Sequence, residues 1–198
     1  MAADLDAAPE GRALPRELIL ASRSPQRQAI LEQLGVSFSV VVSGVEEVEE
    51  GSAEDVAIEN ARRKAAAVAE RRPDALVLAA DTVVCLEGQI YGKPADRTAA
   101  ERMLRALSGR RHTVTGGICL IEAGSYRTRL CTTSVRFRGL DDGLVAWYLD
   151  SEEWRQRAGG YAIQGHGTAL VAGIEGDYFN VVGLSVATLL DLLPGLVG

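Results

Sequence analysis

Carboxylates and cations at four separate places in this chain are of the kind that act on phosphate. Asp81 directly follows an apolar run, Ala75 to Ala80, which reads as a strand buried on both faces. A carboxylate at the end of such a strand is costly to bury unless it is used or paired. A short apolar ribbon then turns at Glu87-Gly88 and delivers Lys93, held between Gly92 and Pro94. Upstream, the segment SGVEEVEEGS carries Glu46, Glu47, Glu49 and Glu50. A carboxylate-rich loop leaving a strand supplies hard oxygen ligands for Mg²⁺, although such a run is equally the look of a solvated loop. Lys64 follows Arg62 and Arg63 in a helical stretch, where a solvent-facing charge is the simpler expectation. Finally, Ser22-Arg23-Ser24-Pro25-Gln26-Arg27 opens a helix, with Ser24 suited to the N-cap and Pro25 to the first helical position. Hydroxyls, Arg27 and free backbone N–H groups meet there, either as an anion site or as a plain capped helix.

Together these residues suit metal-assisted attack of water on a phosphate ester or anhydride. Carboxylates hold the cation and activate water, while lysines absorb charge on the phosphate oxygens. Other chemistries fit poorly. No second aspartate stands two residues after Asp81, as aspartyl-phosphate phosphatases require. The chain has no GxGxxG, no GxxxxGK[ST] and no GxSxG. Only His112 and His166 are available, which disfavours a histidine-rich zinc site. Cys85, Cys119 and Cys131 are odd in number and widely spaced; they read as buried, reduced thiols in strands and point to a cytoplasmic setting.

The elements that must position these groups alternate early. A strand at Glu17–Ala21 leads to the Ser24-capped helix, stopped by Gly35, and a strand follows over Ser37–Val42. Ser52 with Asp55 caps a long helix broken by Pro73, and Thr98 with Glu101 forms a second capping signal before AAERMLRAL. HTVTGGICLIE and YRTRLCTTSVRF predict a long hairpin around Ala123-Gly124-Ser125. Asp141 to Leu149 predicts a short helix with Trp147 and Tyr148 as packing anchors. A glycine-dense loop over 159–167, the strand TALVAGIEG and a helix over LSVATLLDLL complete an α/β chain with a mixed sheet.

At 198 residues the chain is long enough for a full core, and we read 17–198 as one domain behind a mobile tail over 1–16. That tail has neither the apolar core of a secretory signal nor the composition of a transit peptide. A net charge of −6 argues against a nucleic-acid polymer as partner, and no apolar run is long enough for a membrane helix.

The ordered blocks resemble the Maf family of nucleoside triphosphate pyrophosphatases. The match begins with Ser22-x-Ser24-Pro25-x-Arg27, Gly44-Val45-Glu46-Glu47 and Lys64-Ala65. It continues with Ala80-Asp81-Thr82-Val83-Val84, Gly92-Lys93-Pro94 and His112-x-Val114-x-Gly116. It ends with Gly159-x-Tyr161-x-Ile163-Gln164-Gly165, Gly176-Asp177-Tyr178 and Asn180-Val181-Val182-Gly183-Leu184. The resemblance implies cleavage between the α- and β-phosphates of a nucleoside triphosphate, with a divalent metal, Mg²⁺ or Mn²⁺. It implies Asp81 as the proton acceptor and a metal ligand with Glu47, and Lys64 and Lys93 as phosphate-binding catalytic groups. Ser22, Ser24, Gln26 and Arg27 would line the substrate.

It also implies a single elongated α/β domain of two lobes, inosine-triphosphatase-like, around a mixed, largely antiparallel sheet with a central cleft, often as a homodimer. Thr82 and Gln164 match the branch acting on dTTP and UTP. An amide at Gln164 can donate to O4 and accept from N3–H, a pair that thymine and uracil share and cytosine lacks. Gln26 replaces an arginine usual in the family, at a position tied to substrate choice. Alternatives are a pyrophosphatase for modified nucleotides such as 7-methyl-GTP, or a nucleotide-binding regulator of septum formation.

Overall fold

The computed structural model describes residues 16–197, so the tail expected over 1–16 lies, except for Arg16, outside the described residues. In chain order the elements are β1 Leu18–Leu20, α1 Pro25–Gln33, β2 Ser39–Val40, α2 Ala53–Ala69, β3 Leu76–Leu86, β4 Gln89–Tyr91 and α3 Arg97–Leu107. They continue with β5 Arg111–Glu122, β6 Ser125–Phe137, α4 Asp142–Asp150, β7 Val171–Glu175, α5 Tyr178–Val182 and α6 Val186–Leu192. Two short 3-10 turns, Ala158–Gly160 and Gly165–Ala169, replace regular structure between α4 and β7.

Local chemistry explains most boundaries. Ser24 and Ser52 accept the N–H groups of Arg27 and Asp55 at the starts of α1 and α2. The α3 cap differs from expectation. Asp96, not Thr98, takes the Ala99 N–H, and Glu101 is engaged with Arg105 instead. A carboxylate two residues upstream outcompetes the hydroxyl for the same orphan donors. Both tight hairpins turn on a pair of residues with positive φ, Glu87-Gly88 and Ala123-Gly124, the geometry that matches the strand twist. Of the aromatic pair on α4, Tyr148 is fully buried but Trp147 is exposed, so only Tyr148 anchors the packing. All three cysteines are unpaired; Cys119 is buried, while Cys85 and Cys131 are half-buried.

The sheet has strand order β2-β1-β3-β5-β6-β7, with β4 also on β3. β1 pairs parallel with β2 and β3, and every other pairing is antiparallel, giving the mixed, largely antiparallel sheet that was expected. β3 does not stop at Asp81. It runs on to Leu86, paired with β5 from Leu76 to Cys85, so Asp81 is a mid-strand residue opposite Gly117. The other edge of β3 is interrupted. β1 covers Leu76 to Leu78 and β4 covers Val84 to Leu86, leaving Ala79 to Val83 without a strand neighbour. β1 runs parallel to β3 and β4 antiparallel to it, so both point their C-terminal ends into this notch.

Period-two alternation sorts the side chains of β3 between the faces. Val77, Ala79 and Val83 pack toward α2, in contact with Ala57, Ala61, Ala65 and Val68. Leu76, Leu78 and Ala80 pack with α1 and α6, whereas Val84 and Leu86 pack with α3 and α4. On that second face the apolar core is therefore divided at Thr82, with Val182 packed against both parts.

His112 lies in the part beyond the division, 2% exposed. Its Nε2 is 2.8 Å from the Tyr161 hydroxyl and its ring meets Phe137 edge-on, but Nδ1 has no partner among the described residues. Burial pushes its pKa down to about 4. Between that value and the unfolded value near 6.5 the unfolded chain binds the extra proton, so stability is full above pH 6.5 and falls as pH drops toward 4. The loss over that window is up to about 3 kcal/mol. Denaturation midpoints measured from pH 7 to 4 should show this slope in the wild type, and a His112→Phe variant should flatten it.

Candidate active site

Three strand ends converge on the notch. The turn after β1 brings Ser22 and Ser24, the loop after β2 brings Glu47, and the turn after β4 brings Lys93. Asp81 supplies the centre from β3 itself. It is 8% exposed and points to the α2 face. Lys64 reaches it from α2, with Nζ 2.6 Å from Asp81 Oδ1 and 2.6 Å from Glu47 Oε1. Lys93 extends the chain of charge, with Nζ 3.1 Å from Glu47 Oε2. The lysine expected to face solvent is thus 8% exposed and bridges two carboxylates.

Glycine and alanine make this approach possible. A Cβ at Gly117, the cross-strand neighbour of Asp81, would lie 2.5 Å from the Ala57 carbonyl carbon. No side chain fits there, so α2 lies flush on the sheet and its i, i+4 pair Asn60 and Lys64 both reach Asp81. On the opposite face, Gly116 leaves room for the buried Asn180 side chain, whose Nδ2 donates to the Val114 carbonyl and the Thr133 hydroxyl. The Gly116–Gly117 pair therefore thins the sheet beside Asp81 and Thr82 on both faces.

Asn60 was not singled out in the sequence. Its Nδ2 donates to Asp81 Oδ2 at 3.1 Å and to the Val48 carbonyl at 3.0 Å, while its Oδ1 accepts the Val48 N–H at 2.7 Å. The available signal was position: one turn before Lys64, on the face otherwise made of alanine and valine.

The electrostatics favour an anion. Burial pushes the Glu47 carboxyl up, but hydrogen bonds and charge from Lys64 and Lys93 outweigh it and carry the pKa down to about 2. Glu47, rather than Glu46, is the acid that the two lysines hold.

Arg27 is buried on the second face. Its Nε donates to the Gly183 carbonyl at 2.8 Å, and its other nitrogens to the hydroxyls of Ser22 and Thr82, each at 3.1 Å. Burial pushes its pKa down, opposed by the charges of Asp81 and Glu47. Arg27 thereby ties α1 to β3 and α5. Ser22 also accepts the Ser24 N–H, and Ser24 donates to the Gln26 side-chain oxygen at 3.2 Å. Asp81 and Thr82, adjacent in sequence, thus face opposite sides of the sheet and meet only through the notch.

Gln164 is not brought into hydrogen-bonding contact with this group. It is exposed, in a loop held by its neighbours: the Tyr148 hydroxyl accepts the Ala162 N–H, and Glu153 accepts the N–H groups of His166 and Gly167. The 3-10 turn before it, Ala158–Gly160, packs on Val84 and donates the Gly159 N–H to the Gly92 carbonyl, beside Lys93.

Chemically, the arrangement offers a buried carboxylate for proton transfer and a second carboxylate beside it. Cations stand on both sides of the notch, Lys64 and Lys93 at the carboxylates and Arg27 on the opposite face. Residues 17–196 match the family model described as Maf-like protein. Among curated proteins, the chain is 43% identical over 182 residues to the dTTP/UTP pyrophosphatase of Pyrococcus furiosus, covering 90% of this chain and 94% of that one. It is 45% identical over 183 residues to the dTTP/UTP pyrophosphatase of Pelotomaculum thermopropionicum, covering 90% and 95%. It is also 45% identical over 179 residues to that of Deinococcus radiodurans, covering 90% and 92%. The solved structure of the Staphylococcus aureus Ham1 protein aligns with a TM-score of 0.45 at 20% identity, over 62% of this chain and 72% of that chain.

Proposed function

We propose, from the premise that this chain belongs to the Maf family, that it hydrolyses dTTP and UTP to the monophosphate and pyrophosphate. The observation that carries the reading is the linked set Asp81–Lys64–Glu47–Lys93 at the notch. Support for the pyrimidine preference comes from the sequence match of Thr82 and Gln164 to that branch and from the dTTP/UTP pyrophosphatases among the relatives.

In this mechanism the triphosphate enters the notch with its phosphates toward Lys93 and the Ser22–Ser24 turn. Asp81 accepts a proton from water as the water oxygen bonds to the α-phosphorus. The bond from that phosphorus to the bridging oxygen breaks, and pyrophosphate leaves. Lys64 and Asn60 hold the Asp81 carboxylate oriented for the transfer. Lys93 and the helix N-terminus of α1 absorb charge as it shifts to the leaving group.

A divalent cation, Mg²⁺ or Mn²⁺, fits the donor set. Glu47 and Asp81 are hard-oxygen ligands that already converge on one ammonium, and Mg²⁺ is commonly held by one or two carboxylates together with substrate phosphates. Among the described residues no group of three or more His, Cys, Asp or Glu is placed to hold a metal ion, so on this reading the two carboxylates would hold it together with substrate phosphates. Bound there, the ion supplies Lewis-acid charge at the phosphate oxygens. The same reading carries a cytoplasmic setting, supported by the three unpaired thiols, and a homodimer, which light scattering on the purified protein tests.

The decisive experiment is a screen of the purified protein with Mg²⁺ or Mn²⁺ over common and modified nucleoside triphosphates, detecting pyrophosphate. The expected result is a kcat/KM for dTTP and UTP about tenfold or more above CTP and the purine nucleotides, the scale of one lost hydrogen-bond pair at the base. Release of orthophosphate alone, or preference for 7-methyl-GTP, overturns the proposal.

A further inference from the structure

We infer that Asn60 is the positioning residue of the reaction, fixing both the orientation of Asp81 and the placement of the loop that carries Glu47; the inference rests on the function proposed above. Asn60 is 3% exposed and is the α2 side chain that bonds both the Asp81 carboxylate and the backbone of the loop carrying Glu47. One N–H of its amide goes to Asp81 Oδ2 and the other to the Val48 carbonyl, while its oxygen takes the Val48 N–H. The side chain is therefore saturated: two donors and one acceptor, each in use.

That pattern selects the residue type. An amide is the small side chain that offers two N–H donors and an oxygen acceptor in one plane. Aspartate has the shape without either donor and would set a carboxylate against Asp81. Leucine has the volume without any polar group. Serine and threonine offer a single donor. Lys64 holds the opposite oxygen, Asp81 Oδ1, so the two α2 side chains grip the carboxylate at both of its oxygens.

The grip on Val48 does separate work. The loop between β2 and α2 has no regular structure. Arg71 holds its start through the Val42 and Ser43 carbonyls, Ser52 caps its end, and Asn60 pins Val48, the residue after Glu47. Glu47 itself is bound only by lysine side chains among the described residues. Lys64 bridges the two carboxylates directly, and the buried Asn60 amide fixes the backbone of the Glu47 segment relative to Asp81.

The test compares Asn60→Leu with Asn60→Gln. Glutamine keeps the amide on a stem one methylene longer, whereas leucine keeps volume and loses every bond. The leucine variant is expected to lose about 30-fold in kcat on dTTP with KM within threefold of wild type, and glutamine to recover at least half of that loss on a logarithmic scale. Both melts are expected to lie within a few degrees of each other. Equal kcat for the two variants, or a loss carried by KM, overturns the inference.

A second readout is independent of turnover. Cleavage at Glu46, Glu49 or Glu50 by a glutamate-specific protease, on the native protein, should rise at least fivefold in the leucine variant. Unchanged cleavage overturns the loop-pinning role. If the wild type itself fails to release pyrophosphate, the functional reading falls, and this proteolysis comparison still decides what Asn60 holds.

Discussion

Asp81→Asn is expected to lower kcat on dTTP by about a thousandfold or more, the scale at which removal of a positioned general base acts. The substitution keeps the shape of the side chain, and its oxygen can still accept from Lys64. It removes the charge that accepts the proton and one of the two carboxylates facing that lysine. Stability should fall modestly, because the new amide cannot accept from both Lys64 and Asn60 as the carboxylate does. Steady-state kinetics beside a thermal melt separate the two effects. A variant that keeps more than a tenth of wild-type kcat would remove Asp81 from the role of base.

The second large effect is expected at Lys64. Methionine there preserves much of the apolar stem but deletes the ammonium that bonds Asp81 and Glu47 at 2.6 Å each. Two carboxylates are then left close together, one of them well buried, without the cation between them. Breaking a buried pair by deleting one partner costs about 3–5 kcal/mol. Glu47 is about one-third exposed and retains Lys93, which places this site at the lower end of that range. Turnover should fall at least a hundredfold, since Asp81 loses both its orientation and its partner charge. Added Mn²⁺ should recover more of the melting temperature in the variant than it adds to the wild type, because a divalent ion would then be the cation between the two acids. Equal shifts in both proteins would argue against a metal between Glu47 and Asp81.

How much of this site was legible in the sequence depended on whether the cause was local. Ser24 with Pro25 announced the start of α1, and the cap forms as read. The Glu87-Gly88 turn needed only the backbone freedom that its residues signal. Asp81 was recognised as a costly carboxylate, yet the apolar run before it suggested a strand that stops there. It continues because Lys64 and Asn60 satisfy the charge in place, and both lie on a different element. Lys64 looked exposed because a helical lysine that follows two arginines usually is. What reverses that is Gly117, more than fifty residues downstream, which lets α2 sit against β5.

Asn60 carried no motif at all, since its importance comes from two partners on separate segments. Arg27 was legible as a charge at a helix start, but not as a guanidinium bonded to α5 and β3. The topology of the notch, with β1 ending before β4 begins, follows from register and could not be read from periodicity.

The apolar core is divided on both faces of the sheet, at Thr82 on one and at Asp81 on the other, but the second division is crossed by a single helix. There α2 spans 17 residues, about 25 Å, and packs from Val83 back to Val77 across the level of Asp81. One side of the sheet therefore carries a continuous strut, and the other carries two blocks that meet at a seam of polar groups. Such a plan makes bending over the strut the costlier motion, because it would break helical hydrogen bonds, whereas the seam is held by the bonds of one guanidinium. α2 is placed as the spine of a book, and Arg27 as the clasp on its open side.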